Sequence, residues 1–191
     1  MLNIIFIILV ILFIYYIYMY NGDMTYIKCP FDNEYYYVRN DEHKYDAVEL
    51  LYNIKKNIFL LKDHLYTNKG KYDIEYYPYI DLLYKNIQNV SISETPINTN
   101  NTSYTVNKGQ EIVFCVKSKK DGKIHNINLM MYVALHEISH VACPELQHTP
   151  LFKKIFAFLC NEAIKLNIYE KIDFDKYPQE CCGININNSI V

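Results

Sequence analysis

Tryptophan is absent from this sequence, arginine occurs once, at Arg39, and no two cysteines are spaced as CxxC. Each of these gaps excludes something. The 19 Lys and Arg residues are outnumbered by 21 Asp and Glu, for a formal net charge of −2. No polycationic surface for phosphate neutralisation follows from that balance, so nucleic acid is not an expected partner. The six cysteines (Cys29, Cys115, Cys143, Cys160, Cys181 and Cys182) are too sparse for a small disulfide scaffold and lack zinc-ribbon spacing, which leaves the redox compartment open. No internal repeat is visible, so a solenoid is excluded as well.

Charge is missing altogether from one long stretch. Residues 2–20 read LNIIFIILVILFIYYIYMY without a charged side chain, and as a helix rising 1.5 Å per residue they would span about 28 Å, close to a bilayer core. The run has no basic residue ahead of it and no small-x-small site behind it, which favours an uncleaved transmembrane anchor over a signal peptide. Tyr15, Tyr16, Tyr18 and Tyr20 gather at one end, as in an aromatic belt. A single-pass membrane protein is expected. The flanking charges, Lys28 against Asp23, do not specify which side the rest of the chain faces.

Residues 21–45 read as a juxtamembrane linker and 46–191 as one α+β domain with its core at about 103–183. Ala47, Val48, Leu50, Leu51, Ile54, Ile58, Leu61 and Leu65 recur at helical steps, which predicts an amphipathic helix over 46–65. A shorter helix follows Pro78, over about 79–87. Ser103–Asn107 and Glu111–Lys117 flank Lys108-Gly109-Gln110 and read as a hairpin; the second strand offers either a free edge to an extended peptide or an interior position. Asn128 is expected to cap a helix reaching Val141. Thr149 followed by Pro150 gives the N-cap and first position of a closing helix striped by Phe152, Ile155, Phe156, Leu159, Ala163 and Leu166. The tail from Tyr169 reads as irregular, with one short strand at most.

The chemistry concentrates at His136-Glu137-Ile138-Ser139-His140. Two imidazoles four residues apart on a helix share a face and can grip one metal ion, and the intervening glutamate can take a proton from water activated there. Six His and eleven Glu would yield this pattern by chance in roughly one such chain in a hundred. Catalytic zinc takes three protein ligands and leaves a position for water. His148, just ahead of the Thr149 cap, is the leading third ligand; Glu162 on the closing helix is the runner-up, and Cys143 reads as a small buried residue at a helix end. His43, His64 and His125 have no comparable partners and are read as surface or helix-face residues. Tyr104 and Tyr132 are candidate donors to a developing oxyanion.

The run MYVALHEISHVACPELQHTPLFKKIF, residues 131–156, resembles the WLM and SprT-like zinc metallopeptidases, in which a helical HExxH is followed after a short loop by a histidine, Ser or Thr, and Phe. His148-Thr149-Pro150-Leu151-Phe152 matches the second part, and the resemblance is greatest to the compact, membrane-anchored versions in large DNA viruses. It implies a minimal zincin domain made of a small mixed sheet, the HExxH helix and a closing helix. It also implies one Zn2+ per chain held by His136, His140 and His148, with Glu137 as catalytic base and a protein or peptide near the membrane as substrate. The loop from His140 to His148 is longer than in common members and lacks their Gly or Asn near the third ligand. Members that cut DNA-crosslinked proteins carry DNA-binding elements that this chain lacks. The alternative is a catalytically silent membrane-anchored structural or assembly protein that keeps zinc for folding.

Overall fold

The strongest helical periodicity becomes the longest helix. In the computed structural model, which describes residues 2–97, 99 and 101–191 with the side chains of 2–4 and 18–21 outside the description, the chain begins with helix α1 (Leu2–Asn21). The hairpin β1 (Met24–Lys28) and β2 (Tyr35–Arg39) follows, then α2 (Lys44–Thr67) and α3 (Tyr77–Asn86). Next come β3 (Ser91–Glu94), β4 (Tyr104–Val106) and β5 (Glu111–Phe114). Helices α4 (Ile127–Ala142) and α5 (Pro150–Lys165) precede a small hairpin, β6 (Gln179–Cys181) and β7 (Ile184–Ile186).

Five strands form a mixed sheet in the order β1-β2-β3-β5-β4. Both outer pairs are antiparallel hairpins, whereas β3 runs parallel to β2 and to β5. The architecture is therefore α+β, as expected. The stretch 21–45 is not a linker: it supplies the first hairpin of the sheet. Its strands, MTYIK and YYYVR, are rich in the tyrosine that pervades the chain, so composition alone did not mark them. Strand β5 lies inside the sheet, and β4 is one of its two edge strands. The tail, expected to hold one strand at most, forms a second two-stranded sheet.

Helix α4 is the centre of the helical layer, with α2, α3 and α5 packed on it. Leu51, Ile54, Ile58 and Leu61 of α2 and Met130, Leu135 and Ile138 of α4 are wholly buried. Each such side chain contributes about 1.5–3 kcal/mol through burial. The caps match local chemistry: the Asn126 side chain, two residues earlier than expected, accepts from the Asn128 N–H, and Thr149 accepts from the Phe152 N–H.

Strands β2 and β3 pair at one register position, Tyr37 with Ser93, and buried charge reinforces that junction. Arg39 donates its backbone N–H to Glu94 and its Nε to the Thr95 carbonyl, both at 2.8 Å. Lys117 lies 2.8 Å from both carboxylate oxygens of Asp41 and 3.2 Å from Glu94. Breaking one partner of such a set leaves an uncompensated buried charge.

Among the described residues no helix is long and apolar enough to cross a membrane. Side chains of α1 are described only over 5–17, so the span expected at 2–20 lies partly outside the described residues. Those that are described, from Ile5 to Ile17, are all exposed.

Candidate metal centre

One face of α4 carries His136 and His140 four residues apart, and the loop after the helix returns the chain to them. Gln147 takes a left-handed backbone (φ 66°), which turns His148 towards that face before Thr149 caps α5. The Nε2 atom of His148 lies 3.0 Å from Nε2 of His136 and 3.2 Å from Nε2 of His140. The ligand atoms of the three residues converge as a group that could hold a metal ion. Phe152 underlies the imidazoles, stacked on His140 at 4.3 Å and edge-on to His136 at 5.0 Å between ring centroids.

The donor set fits a cation. A proton on one of these nitrogens can serve only one neighbour, whereas three converging lone pairs are satisfied together by a positive ion. Burial and the nearby His140 and His148 push His136 down to about 3. Burial, His148 and Lys108 push His140 down to about 4. Both imidazoles are thus neutral at pH 7, the form that ligates. Spacings of 3.0–3.2 Å are close to the roughly 3.3 Å edge of a tetrahedron built on zinc–nitrogen bonds of about 2.0–2.1 Å.

Glu137 is buried beside this group. Burial pushes its carboxyl up to about 7, against the pull of a hydrogen bond donated by Thr105 Oγ1, which lies 2.9 Å from Glu137 Oε2. A carboxyl poised near neutrality can both accept and return a proton. Lys108 also comes from the β4–β5 turn, where Asn107, Lys108 and Gly109 all have positive φ. Its Nζ donates to the carbonyls of His140, Cys143 and Glu145 at 3.0, 2.7 and 2.8 Å, fastening the end of α4 and the loop towards His148. A Cβ on Gly109 would approach Asn86 O and Val141 Cγ1 to 3.0 Å, so this turn needs a glycine for both conformation and space.

These groups line a cleft of about 860 Å³. Thr102–Thr105, Leu146–His148 and Ile184–Asn188 also line it. Tyr104 and Tyr132 both line the cleft, but the Tyr132 hydroxyl donates to the Asn188 carbonyl at 3.2 Å. Glu162 is elsewhere, bonded to the Tyr72 hydroxyl and to Lys165. Cys143 is buried at the C-cap of α4. Thr105 and Lys108 were not singled out from the sequence, because their roles depend on a strand and a helix more than thirty residues apart.

No family model matches the chain. It is 44% identical over 170 residues to "Uncharacterized protein R325" of Acanthamoeba polyphaga mimivirus, covering 89% of this chain and 86% of that protein. It is also 44% identical over 71 residues to "Uncharacterized protein 136R" of Invertebrate iridescent virus 6, covering 36% and 39%. The crystal structure of Wss1 from Saccharomyces cerevisiae resembles it with a TM-score of 0.49 and 18% identity, covering 68% of this chain and 87% of that one, a degree of likeness from which no chemistry follows. By its identity along most of both chains, this protein belongs to the viral family that includes mimivirus protein R325.

Proposed function

We propose that the protein is a zinc-dependent metallopeptidase of the minimal zincin type, tethered to a membrane by α1. The observation that carries this reading is the convergence of three imidazoles, with His148 Nε2 3.0 and 3.2 Å from those of His136 and His140, beside a buried carboxyl in a cleft. His136, His140 and His148 would hold one Zn2+, and Glu137 would be the base. When bound, zinc supplies a Lewis acid that lowers the pKa of water and polarises a carbonyl. Glu137 takes the proton from water and delivers it to the leaving amine, while Thr105 orients its carboxylate.

Strand β4 has a free edge and its residues line the cleft, so an extended peptide can add to it through backbone hydrogen bonds. The substrate is accordingly a protein or peptide near the membrane. With a net charge of −2, nucleic acid has no place in this reading. Helix α1 has 20 residues, about 30 Å at 1.5 Å per residue, and its exposed side chains from Ile5 to Ile17 suit a lipid surround better than water. Single-pass attachment through the uncharged stretch 2–20 belongs to the same proposal.

The test uses the oxidised full chain in detergent. One zinc per chain by elemental analysis is expected in the wild type and in Glu137→Gln, and close to none in His148→Ala. Hydrolysis of a labelled unstructured protein is expected from the wild type only. Zinc without hydrolysis in the wild type would leave a structural site, and a folded wild type without zinc would overturn the reading.

A further inference from the structure

A second set of metal-binding side chains lies away from the three histidines. Cys115, which follows β5, is disulfide-bonded across 67 residues to Cys182 in the turn joining β6 to β7. His125, which precedes α4, and Cys181 lie beside Cys182, and the ligand atoms of these three all lie within 4.8 Å of one another; Cys115 reaches them through its bond to Cys182. His125 is therefore not the surface or helix-face residue expected from the sequence. All four side chains are largely shut away from water.

Three features point to a ligand. First, Cys182 Sγ is 3.9 Å from Cys181 Sγ and 3.8 Å from His125 Nε2. Tetrahedral zinc with zinc–sulfur bonds of about 2.3 Å and zinc–nitrogen bonds of about 2.0–2.1 Å spaces its ligands by roughly 3.5–3.8 Å. Second, His125 Nε2 accepts the Cys182 N–H at 3.3 Å, so this nitrogen carries its lone pair, which a metal would take in place of that hydrogen bond.

Third, Cys182 and Gly183 form a two-residue hairpin turn with φ of 56° and 87°. That turn favours Asn, Asp or Gly at its first position. A cysteine in the left-handed region is strained, and here the same backbone brings two successive cysteine sulfurs together instead of to opposite faces of a strand.

We infer that Cys115, Cys181, Cys182 and His125 form a structural zinc site when the Cys115–Cys182 disulfide is reduced, so that this corner of the fold has two mutually exclusive cross-links. A dithiol reductant supplies two electrons and two protons. The Cys115–Cys182 sulfur–sulfur bond breaks, each sulfur becomes a thiol, and the reductant leaves as its own disulfide. Zinc then displaces the protons of Cys115, Cys181 and Cys182 and takes the lone pair of His125 as its fourth donor. Either cross-link holds the β6–β7 hairpin against the sheet, and Ile184–Asn188, which begins as the second strand of that hairpin, lines the cleft. That segment therefore keeps its anchor in both oxidising and reducing compartments.

Cobalt(II) titration of the metal-free full chain in detergent separates the two centres, because the three-histidine site contributes no sulfur. The reduced wild type is expected to show thiolate-to-cobalt charge-transfer absorption, saturating at one equivalent for this centre and retained in His136→Ala. The band should vanish in the oxidised wild type and in Cys181→Ser, with folding checked by circular dichroism. The oxidised wild type guards against a variant that fails to fold. No charge-transfer band in the folded reduced wild type, or a band that survives oxidation, would overturn the inference. Neither result depends on the three-histidine centre or on catalysis.

Discussion

The hydroxyl of Thr105 on edge strand β4 donates to the carboxylate of Glu137 on helix α4 at 2.9 Å, joining the side of the cleft that would receive a peptide to the group that would move the proton. Burial and this hydrogen bond act in opposite directions on Glu137. Burial wins, and the carboxyl sits at about 7.

This balance has a definite sign in stability. In the metal-free protein the Glu137 carboxyl binds its proton more tightly folded than unfolded, where its ordinary value is 4.5. The contribution is therefore complete below about pH 4.5 and is lost as pH rises through about 7. Glu137→Gln should match the wild type in Tm at pH 4 under chelation, exceed it increasingly as pH rises to about 7, and hold a constant lead above that. The gain is on the order of 3 kcal/mol at most, the equivalent of the shift from 4.5 to about 7 at about 1.4 kcal/mol per unit. A Tm difference that does not change with pH would count against a buried, titrating Glu137.

Lys108 is the other tie between the β4–β5 turn and α4. Lys108→Met keeps the apolar stem but removes every donor from the carbonyls of His140, Cys143 and Glu145. The expected cost is about 1–3 kcal/mol, seen as several degrees of Tm. Zinc affinity should fall too, because the segment carrying His148 is no longer fastened to the end of α4. Unchanged Tm and zinc affinity would mean that these hydrogen bonds are replaced by water without loss.

Helix α1 should act through lipid alone. The full chain is expected to co-float with neutral phosphatidylcholine vesicles in a density gradient, and at high salt as well, since residues 2–20 contain no charge to be screened. Residues 22–191 should stay at the bottom of the gradient while keeping the circular dichroism of the folded domain. Flotation of the shortened chain would place the membrane contact elsewhere.

Much of the site was legible in short-range pattern. Four-residue spacing placed His136 and His140 together because a helix repeats every 3.6 residues. Thr149-Pro150 marked the start of α5 because a hydroxyl satisfies orphan N–H groups and proline tolerates the first turn. The periodicity of α2 and the hairpin around Lys108-Gly109-Gln110 were visible for similar local reasons.

Only the tertiary structure decided which distant groups meet. It brought His148 to the two helical imidazoles and left Glu162 with Tyr72. It set Thr105 on Glu137, drew the tyrosine-rich hairpin of residues 24–39 into the sheet, and gathered Cys115, His125, Cys181 and Cys182 at one corner. These choices rest on contacts between segments far apart in the chain, where the free energy comes from burial and from satisfying polar groups against partners that no local window contains. Local sequence carried the helix of His136 and His140 and the cap of its successor; packing set His148 against them, chose the partner of Glu137 and anchored the segment 184–188 that lines the cleft.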